Sequence, residues 1–156
     1  EALARVSGTL LVVGTGPLAS DLWQTAARLG VADRVRWLGH QNDEFVAAAY
    51  GAATALWFPS VARSEGFGLA QVEAMASGCP VINTAIPASG VPWVSPNEVS
   101  GLTVPVGDAG ALAAAAARIA GHADLRERLA HGARARALAE FGHRQMALRW
   151  EQAVGA

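Results

Sequence analysis

Lysine is absent from this chain of 156 residues, so all 12 basic side chains are arginine. Any mechanism that draws a lysine from within the chain, a Schiff base above all, is excluded. The single cysteine, Cys79, rules out an internal disulfide and is consistent with a reducing, cytoplasmic compartment. Its setting in Ser77-Gly78-Cys79-Pro80-Val81-Ile82 reads as buried packing, not as a nucleophile. Net charge is only −1, which supplies no electrostatic reason to bind nucleic acid or an anionic membrane. No apolar run approaches the roughly 20 residues of a membrane helix, and no signal peptide is visible. His122, His131 and His143 fall at spacings that make no metal set, and no G-x-S-x-G elbow is present. What remains is an apolar composition, 52% hydrophobic and 16% charged, at a length that suits one well-buried domain.

Strand and helix patterns alternate along the chain. Residues 9–13, 34–38, 53–58, 80–83 and 102–106 read as short strands. Helices are expected over 21–29, over 43–50 with Asn42 as N-cap, and around Glu73 as far as Gly78. Further helices are expected over 108–121 with Asp108 as cap, over 123–140 and over 143–154. Residues 86–92 read as turns. The start, Glu1-Ala2-Leu3-Ala4-Arg5, lacks Met and reads as the end of a helix, which suggests an excised fragment. Alternation of this kind predicts βαβ units, a Rossmann-like, doubly wound parallel sheet covered on both faces, and extra C-terminal helices.

In such sheets ligands lie at the carboxyl ends of the strands. That rule selects the loops 14–17, 39–42, 59–68 and 84–90. The first, Gly14-Thr15-Gly16-Pro17-Leu18-Ala19, fits the G-x-G-x-x-G/A dinucleotide pattern. The acidic residue that should close the next strand is missing, because that strand ends Trp37-Leu38-Gly39-His40. A nicotinamide cofactor is therefore disfavoured. Gly16 reads as a tight turn or as one wall of a nucleotide pocket; His40 reads as a solvated loop residue or as a contact to a base.

The third loop carries the chemistry: Ser64-Glu65-Gly66-Phe67-Gly68-Leu69-Ala70-Gln71-Val72-Glu73. Glycines permit close backbone approach, and a helix start presents N–H donors with partial positive charge. An anion can rest on the turn while Glu65 and Glu73 accept hydrogen bonds from hydroxyl groups on either side. Hydroxyls flanking a phosphate describe a nucleotide-sugar. Taken alone, Glu65 is equally a solvated carboxylate, and Glu73 a residue favoured by the helix dipole.

Glu65-Gly66-Phe67-Gly68-Leu69 and Glu73-Ala74-Met75-Ala76-Ser77-Gly78-Cys79-Pro80-Val81-Ile82 follow Phe58-Pro59-Ser60. With Gly90-Val91-Pro92 and Ser100-Gly101-Leu102-Thr103-Val104-Pro105 after them, nearly the whole chain resembles the retaining GT-B glycosyltransferases. The likeness is to their C-terminal, donor-binding domain. It implies that Glu65 faces the donor sugar and supports positive charge as the glycosidic bond loosens. Phe67 and Gly68 would offer amides to the sugar, Leu69 and Ala70 amides to the phosphates, and Glu73 a carboxylate to the ribose. Gly16, Gly39 and His40 would border the nucleotide. The resemblance implies no metal and no cofactor. It also implies an Arg and a Lys from a strand–helix unit ahead of Glu1, and an N-terminal acceptor domain outside residues 1–156. Peripheral membrane association of a full protein stays open. So do a non-catalytic nucleotide-sugar module and a related epimerase. A pyridoxal phosphorylase would need its lysine from elsewhere.

Overall fold

A computed structural model describes residues 1–155. A 3₁₀ turn, Ala2–Arg5, stands where the end of a helix was expected. Strand β1 (Leu10–Val13) is followed by helix α1 (Ala19–Arg28) and strand β2 (Val35–Gly39). Helix α2 (Asp43–Ala52) starts at the expected cap, with Asn42 Oδ1 accepting from the Phe45 amide at 2.8 Å. Strand β3 (Leu56–Phe58) is shorter than its apolar run, and α3 (Leu69–Ala76) and β4 (Val81–Thr84) follow. The turn-rich segment hides a short helix, α4 (Val91–Val94), which Pro92 in its first turn favours. Then come β5 (Gly101–Val104), α5 (Ala109–Gly121), α6 (Ala123–Glu140) and α7 (His143–Val154). Asp108 caps α5 by accepting from the Ala111 amide at 2.8 Å.

All strand pairing among the described residues is parallel, but the expected single sheet is split. β1 pairs with β2, and separately β3 pairs with β4 and β4 with β5. No strand among the described residues pairs with the second edge of β1 or of β3. The local pattern of each strand was readable, but continuity of a sheet depends on which strands become neighbours, and among the described residues β1 and β3 do not pair.

The three-stranded part is the better buried. Side chains of adjacent β4 residues point to opposite faces. Val81 joins Ala74, Met75, Val94, Ala133 and Ala137 under α3 and α6. Ile82 joins Leu102, Val104, Leu112, Ile119 and Leu129 under α5 and α6. Fully burying one such side chain stabilises by about 1.5–3 kcal/mol. Gly101 makes the close pairing with β4 feasible, because a Cβ there would lie 1.8 Å from the Val81 carbonyl oxygen. Cys79 is buried as expected, and burial pushes its thiol up to about 11. A smaller cluster of Leu3, Ala26, Val31 and Val35 lies under β1 and β2. Trp57 of β3 packs against this cluster and against the Ile82 cluster, joining the two parts.

Candidate functional site

The turn from Glu65 to Gly68 leads from β3 into α3, and its conformation is tightly specified. Gly68 sits at φ +77° as the residue before the helix. A Cβ on Gly68 would meet the Phe58 ring at 2.6 Å and Gln71 Nε2 at 2.9 Å, so only glycine fits. Three successive carbonyls of the turn are bound from behind. Ser89 Oγ donates to the Glu65 oxygen at 2.6 Å, and the Gly90 amide donates to Gly66 at 2.9 Å. Gln71 Nε2 donates to Phe67 at 2.9 Å.

The amides face the other problem. Among the described residues, those of Phe67, Gly68, Leu69 and Ala70 donate to no protein acceptor. The first amides of a helix have no intrahelical partner, and here the unpaired run extends back into the turn. Four consecutive donors without a protein acceptor, at the start of a helix, are a candidate cradle for an anion.

Both carboxylates are available beside it. Glu65 is half-buried and Glu73 exposed. Neither carboxylate has a hydrogen bond or ion pair among the described residues, so each keeps its full acceptor capacity. Glu73 lies beyond the first turn of α3, which removes the helix-dipole explanation for its presence. Its charge also reaches Tyr50, whose phenol is held above its usual range first by burial and then by Glu73 and Cys79.

The other expected residues lie on the two-stranded part. The Gly39 carbonyl accepts from the Gly14 amide at 2.7 Å, tying the first loop to the second. Gly16 and His40 are exposed beside this tie. Thus the structure joins loop 14–17 to loop 39–42, and loop 59–68 to loop 84–90. No hydrogen bond among the described residues links one pair to the other. Arg63 is an exposed loop residue. Two open cavities, ≈480 Å³ around Arg5 and Asp108 and ≈580 Å³ around Arg118 and His122, touch none of the candidate residues.

A buried network supports the turn, and sequence reasoning missed it. Gln71 and Asn83 are fully buried. Asn83 Nδ2 donates to Gln71 Oε1 at 2.9 Å and to the Val91 and Ser95 carbonyls at 3.0 Å. Thr103 Oγ1 donates to Asn83 Oδ1 at 2.8 Å. The available signal was a polar residue interrupting each apolar run, Gln71 in Leu69–Val72 and Asn83 after Val81-Ile82. Among the described residues, no three His, Cys, Asp or Glu side chains converge as metal ligands, and no helix is long and apolar enough to cross a membrane.

Solved structures share this architecture. A sucrose-phosphate synthase from Thermosynechococcus elongatus aligns with 97% of the chain at TM-score 0.86 and 35% identity. HepE from Anabaena, solved with UDP-glucose, aligns over 97% at TM-score 0.84 and 26% identity. The fold is that of the GT-B glycosyltransferases. Residues 1–122 match the family described as "Glycosyl transferases group 1", and the chain belongs to that family. Consistent with this, D-rhamnosyltransferase WbpZ of Pseudomonas aeruginosa is 32% identical over 136 residues, or 87% of the chain. The chain spans 35% of WbpZ's length and 39% of the synthase structure.

Proposed function

We propose that these residues form the donor-binding half of a retaining glycosyltransferase that uses a nucleoside-diphosphate sugar. The observation that carries this reading is the run of unpaired amides from Phe67 to Ala70, flanked by two unpaired carboxylates. In the proposal, Leu69 and Ala70 amides receive the diphosphate and Phe67 and Gly68 amides the sugar. Glu65 takes sugar hydroxyls, Glu73 takes the ribose, and Gly16, Gly39 and His40 border the base. HepE, a structural neighbour, was solved with UDP-glucose, which supports a nucleotide-sugar as the ligand class.

For a full protein the transferred group would be a hexose-type sugar. The bond from the anomeric carbon to phosphate oxygen breaks, and a bond to the acceptor oxygen forms on the same face. The acceptor proton passes to the departing phosphate. Amide donors at the helix start stabilise the charge that grows on the leaving group, and no metal is required. The acceptor surface, and an Arg and Lys for the diphosphate, would come from polypeptide outside these residues. The 156-residue chain then binds donor weakly and transfers no sugar.

An NMR titration with UDP-glucose tests the site. Amide shifts should concentrate at Phe67–Ala70, and Glu73→Gln should weaken binding by about tenfold, the loss of one or two hydroxyl contacts. Shifts centred elsewhere would sink the assignment. In a full-length enzyme, Glu65→Gln should lower kcat far more than KM.

A further inference from the structure

An aromatic cluster stands behind the donor turn and reaches it from the far end of α6. The Phe67 ring meets Phe141 edge to face, with centroids 5.5 Å apart, and Trp93 meets Phe141 likewise at 5.6 Å. Trp93 and Phe67 are 6.5 Å apart. Arg136 lies across this group, its guanidinium carbon 5.3 Å from the Trp93 ring centre and 5.6 Å from that of Phe141. The same guanidinium donates from Nε to the Val94 carbonyl at 2.9 Å and from Nη2 to the Trp93 carbonyl at 2.7 Å. It thereby satisfies the carbonyl end of α4 while its charge stays within cation–π distance of both rings.

The turn has a need that this cluster meets. Gly66 and Gly68 have no side chains to hold, so between Glu65 and α3 Phe67 is the one side chain through which the turn can be gripped. Pinned carbonyls fix one edge of each peptide, and the ring fixes the residue between the two glycines. A cluster serving burial alone would exclude water, yet Trp93 keeps 52% of its surface exposed. Its value lies in the geometry of rings and guanidinium, an arrangement worth roughly 0.5–2 kcal/mol per contact.

We propose that Arg136, acting with Trp93 and Phe141, is a positioning residue that clamps Phe67 and so keeps the Phe67–Ala70 amides aimed at the donor. None of the three has to touch the ligand. The role of the clamp in binding rests on the donor-site reading above, but the clamp itself is a claim about the free protein and can be judged there.

The test is amide hydrogen exchange by NMR on the 156-residue chain, comparing wild type with Arg136→Met, Phe141→Leu and Phe141→Tyr. Arg136→Met and Phe141→Leu should speed exchange by roughly tenfold at the Gly90 and Gln71 amides, which donate to the Gly66 and Gly68 carbonyls of the turn, whereas β4 amides change by less than about twofold. Phe141→Tyr, which keeps the ring, should behave as wild type. Should either core-facing variant fail to fold, Trp93→Leu at the half-exposed position carries the same expectation. The proposal is overturned if turn exchange stays at the wild-type rate, or if β4 loosens as much as the turn. UDP titration separates the two readings. An intact clamp with no UDP shifts at the turn in wild type defeats the donor assignment alone, and unchanged turn exchange with normal UDP shifts defeats the clamp alone.

Discussion

Strands β1 and β4 are both four-residue parallel strands, yet every residue of β4 is buried while β1 alternates half-buried and exposed. β4 has a partner on each side and helices over both faces. β1 has one partner, and its Leu11 and Val13 keep 46% and 40% of their surfaces exposed. Helix α1, which follows β1, likewise exposes Leu22 and Trp23, as does Leu18 just before it. The buried Trp37 indole Nε1 on β2 is the one buried side-chain donor without a partner among the described residues. Polar groups in the other part are instead drawn into the Gln71–Asn83–Thr103 network. The difference teaches that the Glu65–Ala70 turn rests on the better-buried part of the sheet, whereas loops 14–17 and 39–42 rest on the more exposed one. Among the described residues no strand pairs β1 with β3, and Trp57 packs against both clusters.

The contrast can be broken at its strongest point first. Gly101→Val would drive a side chain into the Val81 carbonyl and should cost more than about 4 kcal/mol or abolish folding. Urea unfolding reads this directly; a mild effect would mean that β4 and β5 are not so closely paired. Next, Ile82→Ala should cost about 2–5 kcal/mol by opening a cavity, while Leu11→Ala, on a half-exposed strand, should cost under about 1 kcal/mol. Equal losses would erase the distinction between the two parts.

Hydrogen exchange sharpens the same comparison without mutation. Amides of β4 should exchange only through global unfolding, and those of β1 through local opening that is easier by about 2–3 kcal/mol. Uniform protection would show that β1 is closed by something other than a strand. The smallest expected effect is on pH dependence. The buried Cys79 thiol stays protonated up to about 11 when folded, whereas in the unfolded chain it ionises near 8.5. The unfolded state therefore sheds its proton first, and stability is lost as pH rises from about 8.5 toward that folded value. Between about pH 9 and pH 10, Cys79→Ala should remove on the order of 1–2 kcal/mol of this alkaline decline. An identical slope in the variant would show the thiol to be unperturbed.

Much of this was legible because it is local. Asn42 and Asp108 announced their helices, since a cap bond spans three residues, and both bonds formed. The Glu65–Glu73 run declared its turn and helix start for the same reason. Gln71 and Asn83 were missed because their mutual bond joins residues 12 apart, and only the packed fold makes them partners. Helix α4 was lost among turn-forming residues because its end is closed by Arg136, more than 40 residues downstream. The split of the sheet was unreadable on similar grounds: no residue of β1 encodes whether its second edge is filled.

That open edge has a practical side. Among the described residues one edge each of β1, β2, β3 and β5 has no partner strand, and no proline or charged side chain on β1 guards its own. Concentrated stocks should associate through these edges, so dilute handling and a solubilising fusion are indicated. A designed strand peptide that pairs with the free edge of β1 should suppress that association, as light scattering would read.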